Sequence, residues 1–72
     1  MTTEEIIDYC RAAQIPGVEF SHRRDLRGNV GVHAYAPAKD TETTLWLSFT
    51  PPKIWKRAAA VWLGAIREDM LA

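Results

Sequence analysis

The chain has one cysteine, Cys10. A lone thiol excludes an internal disulfide and makes a reducing, cytoplasmic compartment the expected setting. Net charge is missing as well: nine basic and nine acidic residues cancel at pH 7, so no overall field draws a polyanion or a polycation. No apolar run is long enough for a bilayer. The longest, Ala58 to Ile66, contains Gly64 and falls short of the ~20 residues that a spanning helix needs. The first residues, Met1-Thr2-Thr3-Glu4-Glu5, are acidic where a secretory leader is basic. No membrane partner is expected. Cys10, His22 and His33 show no CxxC or HxxxH spacing, so no metal is expected. No glycine-rich phosphate loop occurs, and no cofactor is expected. Adjacent carboxylates occur only as Glu4-Glu5 and Glu68-Asp69, at helix ends where water solvates them. The chain does not read as an enzyme, which needs convergent groups in a concave site.

What is present is one short, apolar unit. The 72 residues are 47% hydrophobic, which fits a single domain over 1–72 and excludes disorder. A domain this small buries only ~60% of its unfolded surface, so large side chains or a partner must help. Trp46, Trp55 and Trp62 are the natural candidates, since each indole can bury ~200 Å².

Thr2 followed three positions later by Glu5 predicts a capping box. Ile6, Tyr9, Cys10 and Ala13 then form one helical stripe, and Pro16-Gly17 closes the segment. Val18 to Arg23 alternates as a strand, with Val18, Phe20 and His22 on one face. Asp25-Leu26-Arg27-Gly28-Asn29 is the turn. Val30 to Ala36 is the second strand, with Val32, Ala34 and Ala36 one way and Gly31, His33 and Tyr35 the other. Pro37 to Thr41 connects to a third strand, Thr43 to Phe49, with Leu45, Leu47 and Phe49 inward and Thr44, Trp46 and Ser48 outward. Thr50 is the expected N-cap of a second helix from Pro51 to Met70. The expected fold is α+β: an α-β-β-β-α two-layer sandwich, a three-stranded antiparallel sheet with both helices on one face.

The second helix is apolar on two faces. Ile54, Ala58, Val61 and Ala65 mark one; Trp55, Ala59, Trp62, Ile66 and Met70 mark its neighbour. Such a helix needs more cover than a sheet provides. The extra face serves either a thick core or a partner, and a homodimer is one form of the latter. Its charges run against the helix dipole, with Lys53, Lys56 and Arg57 at the start and Glu68 and Asp69 near the end. Cations at a helix N-terminus suit a phosphate.

The stretch Pro52-Lys53-Ile54-Trp55-Lys56-Arg57-Ala58-Ala59-Ala60 resembles the start of the last helix in the double-stranded RNA-binding domain. Lys53 and Lys56 fall where that family's second and third lysines stand. Pro52 takes the place of the first, and Trp55 that of a small alanine. The resemblance extends to the α-β-β-β-α order. It implies phosphate contacts from Lys53 and Lys56 across a major groove, with helix 1 and the first hairpin loop at minor grooves.

Two function classes follow. One is nucleic-acid binding through Arg23, Arg24, Arg27, Lys53, Lys56 and Arg57, the basic hairpin turn and the start of helix 2. The other is protein binding through His33, Tyr35, Trp46, Trp55 and Trp62. In size and style the chain looks like the small accessory and inhibitor proteins of phages and mobile elements, anti-CRISPR proteins among them. Its neutrality is a cancellation between segments. Residues 1–10 carry −3, residues 11–57 carry +4 and residues 58–72 carry −1, so a local basic site is compatible with zero net charge.

Overall fold

The structure is a computed structural model describing residues 1–69. Helix α1 (Thr3–Ala12) opens on the predicted capping box. The Thr2 hydroxyl accepts from the Glu5 N–H at 3.2 Å, and the Glu5 carboxylate accepts from the Thr2 N–H at 2.9 Å. Those bonds to Thr2, the backbone one foremost, hold the Glu5 carboxyl below its ordinary range. The helix ends when Gln14 turns left-handed, at φ 51°. Ile6, Ile7 and Cys10 are buried. Burial pushes the Cys10 thiol up to about 11, which suppresses the thiolate at neutral pH.

Strands β1 (Glu19–Arg24), β2 (Val30–Ala36) and β3 (Thr41–Trp46) form an antiparallel sheet in that order. The register pairs Phe20 with Ala34 and Val32 with Leu45. Phe20, Val32, Ala34 and Ala36 are buried beneath the helices. Helix α2 (Trp55–Asp69) contributes Ala59, Leu63 and Ile66 to the same core. The α+β sandwich is therefore as expected, with helices on one sheet face only. No helix among the described residues is long and apolar enough to cross a membrane. The predicted helix end at Met70 lies outside the described residues.

β1 is shifted by one residue from the expected Val18 to Arg23, and three further boundaries differ for local reasons. β3 starts at Thr41, two residues early, because Asp40 adopts a left-handed conformation, φ 48°, after a 3-10 turn at Pro37–Lys39. That reversal feeds the chain straight into the sheet. β3 stops at Trp46, and Leu47–Phe49 is a 3-10 turn. The Thr50 N–H donates to the Leu47 carbonyl at 3.1 Å and the Thr50 hydroxyl to the Trp46 carbonyl at 2.9 Å. The turn keeps Leu47 buried but rotates Phe49 outward, where it is 72% exposed. Phe49 is thus not the inward residue that alternation predicts.

Thr50 is not the N-cap either. Residues before proline are pushed to extended backbone, and here two prolines follow one another. Thr50 and Pro51 are both extended, and a further 3-10 turn, Pro52–Ile54, precedes α2. Thr50 uses its hydroxyl backward, and its carbonyl accepts the Trp55 indole N–H at 2.7 Å.

Candidate functional site

Topology brings three segments to one end of the molecule. β1 runs toward the β1–β2 turn and β3 ends beside it, where the Val30 N–H donates to the Ser48 hydroxyl at 2.9 Å. α1 begins at this end, since Glu4 meets His22 near the end of β1 at 2.8 Å. α2 also starts here. The turn, the β3–α2 connection and two helix N-termini are therefore neighbours.

The turn is held by one carboxylate. Asp25 accepts the Arg27 N–H at 2.8 Å, the Asn29 N–H at 2.9 Å and the Asn29 side-chain amide at 2.8 Å. These bonds, the Asn29 side chain's first, hold the Asp25 carboxyl below its ordinary range. Gly28 completes the turn at φ 85°, a region that favours glycine. The wiring leaves Leu26 fully exposed at the tip, between Arg24 and Arg27.

Acidic and basic side chains at this end are engaged differently. Its three acidic residues are engaged within the fold: Glu4 with His22, Glu5 with Thr2, Asp25 with its own turn. The side chains of Arg24, Arg27, Lys53 and Arg57 are exposed and make no hydrogen bond or ion pair among the described residues. Two other predicted cations are partly occupied. The Lys56 ammonium sits 5.7 Å from the Tyr9 ring centroid, a cation–π distance. Arg23 turns onto the open sheet face, where its guanidinium lies 3.2 Å from His33 Nδ1.

That open face carries Arg23, His33, Tyr35 and Trp46, in the register of Arg23 with Gly31, Ser21 with His33 and Gly31 with Trp46. His33 Nδ1 lies 3.2 Å from the Thr44 hydroxyl as well as from the Arg23 guanidinium. Nε2 faces the Glu42 carboxylate at 3.4 Å. Tyr35 donates its hydroxyl to Asp40 at 3.2 Å. Trp46 leans over Gly31: a Cβ there would stand 2.6 Å from the Leu45 carbonyl oxygen and 3.1 Å from the Trp46 ring. The Trp46 indole also meets Phe49 edge to face, with centroids 6.5 Å apart.

The other two tryptophans are half-buried and packed against the core. Trp55 donates its indole N–H to both the Leu47 and Thr50 carbonyls. Trp62 packs edge-on against Phe20 at 5.9 Å. Both press against the core cluster. Phe49 and Leu26 are the surface residues that sequence reasoning missed. The Thr50-Pro51-Pro52 run is the signal for Phe49, because it forbids a smooth passage from strand to helix. Among the described residues, no three His, Cys, Asp or Glu side chains gather as a metal site. Comparison with known proteins finds no matching family model, no matching curated protein and no matching solved structure.

Proposed function

We propose that this chain is a nucleic-acid-binding module that grips backbone phosphates with Arg24, Arg27, Lys53 and Arg57. One observation carries the reading: at the end that holds the hairpin turn and the start of α2, Glu4, Glu5 and Asp25 are engaged in hydrogen bonds and these cations are not. Arg23 and Lys56 stand at the margins, each within reach of a phosphate after leaving His33 or Tyr9. The α-β-β-β-α order and the lysine positions that resemble the double-stranded RNA-binding domain support a duplex ligand. The test is the salt dependence of binding to duplex RNA and duplex DNA. Affinity should fall steeply between about 50 and 200 mM salt, with a log–log slope of roughly −0.9 per phosphate contact on B-DNA. Replacing Arg24, Arg27 and Lys53 by alanine together should flatten that slope by about three such contacts. Absence of binding at the low-salt end would overturn the reading.

A second reading has its own observation. Phe49 is 72% exposed and braced on Trp46, and aromatic anchors of this kind fill pockets on protein partners. On that reading the chain is an adaptor or inhibitor of the phage accessory type, acting by protein contact. Phe49→Ser would then abolish capture of the partner and leave nucleic-acid affinity unchanged.

A further inference from the structure

Leu26 is the most exposed large apolar residue among those described, at 106%. Isolated surface leucines are ordinary, but this one is carried by a tied turn. Besides its carboxylate bonds, Asp25 donates its N–H to the Asn29 carbonyl at 3.1 Å, and its own carbonyl accepts the Gly28 N–H at 3.2 Å. With Gly28 left-handed, this is the pattern of a hairpin loop of Leu26-Arg27-Gly28 closed by Asp25 and Asn29. The frame holds Leu26 out at the tip, away from the core. Arg24 precedes the tip and Arg27 shares it, and neither guanidinium has a hydrogen bond or ion pair among the described residues. The turn's own negative charge is taken up by its three donors. An aliphatic point between free cations calls for anions around it and an apolar slot at its centre. Duplex DNA offers both, in its phosphates and in the gap between two unstacked base pairs.

We propose that Leu26 is a wedge that enters a base step of duplex DNA from the minor groove while Arg24 and Arg27 hold phosphates beside it. The wedge rests on the nucleic-acid reading above and narrows the ligand to duplex DNA with a deformable step. A hairpin tip is slender, and the minor groove of B-DNA is about 6 Å wide. In RNA the same groove displays 2′-hydroxyls, which a leucine side chain cannot pair with. Pyrimidine–purine steps such as TA unstack most readily, so they are the preferred steps for insertion. Apolar side chains inserted in this way kink the duplex by roughly 20–90° toward the major groove.

Duplex DNA carrying 2-aminopurine at a central TA step, titrated at low salt, reads unstacking directly, and energy transfer between its labelled ends reads the bend. The expected result is a rise in 2-aminopurine fluorescence and a shorter end-to-end distance on binding. The matching RNA duplex should give neither. Leu26→Ser should lose both signals at saturating protein with an unchanged far-UV spectrum, and Leu26→Met should keep them. Binding that leaves the 2-aminopurine signal flat, or a signal that survives in Leu26→Ser, would overturn the wedge and leave phosphate binding standing. No binding at low salt would overturn both. Leu26-dependent binding to phosphatidylserine vesicles in place of unstacking would overturn the wedge and assign the tip to an anionic lipid surface.

Discussion

The two connections at the cationic end do the same job with opposite chemistry. The β1–β2 turn is tied by a charged group, the Asp25 carboxylate, which gathers three N–H donors. The β3–α2 connection is tied by a neutral one, the Trp55 indole, which donates to two carbonyls. Each connection lifts one large apolar side chain into water, Leu26 in the first and Phe49 in the second. The difference teaches how each is placed in the energy of the fold. Asp25 is a surface device, removable with local consequences. Trp55 also packs against the core, so its removal reaches the whole domain.

Three experiments would break or sharpen that contrast. Trp55→Ala should have the largest effect, a loss of about 3 kcal/mol on urea unfolding, the low end of the range for truncating a large packed aromatic. Trp55→Phe keeps most of the packing but orphans the Thr50 carbonyl, while the Leu47 carbonyl keeps the Thr50 N–H, for roughly 1 kcal/mol. Equal losses for the two variants would mean that the indole N–H, not the ring, holds the connection.

Acid should separate the two ties. Because the folded Asp25 carboxyl sits below its ordinary value, its contribution is fully present above about pH 3.9. It is lost as pH falls through the lower folded value. The amide resonances of Arg27 and Asn29 should therefore move in that acid range while the Trp55 indole N–H resonance stays constant. Simultaneous change in both probes would show that the turn and the linker melt as one unit.

Phe49→Ser and Leu26→Ser should have the smallest effect, within about 0.5 kcal/mol. A clear drop in melting temperature for Phe49→Ser would show that its edge contact with Trp46 supports the fold and does not await a partner.

The layout of the sandwich was legible because its signals are periodic. Val32, Ala34 and Ala36 against Gly31, His33 and Tyr35 admit one inward face, and the Thr2–Glu5 spacing admits one helix start. The passage from β3 to α2 was not legible from alternation. Leu47 and Phe49 continue the period of two, yet the backbone leaves the sheet at Trp46, and only the steric demands of Pro51 and Pro52 register the change. The cations of the site were visible by residue type. Their sorting was not, because Arg23 is diverted by a cross-strand neighbour and Lys56 by a ring on α1. Such diversions depend on contacts between elements, which no local pattern encodes.

Cys10 is fully buried and its thiol is pushed up to about 11. Alkylation at neutral pH must therefore wait until α1 lifts from the sheet. The labelling rate of this single site becomes a clock for that opening, read with an alkylating reagent and no engineered cysteine. Ligands that clamp the start of α1 against β1 would slow the clock, and those that bind elsewhere would leave it running at its native pace.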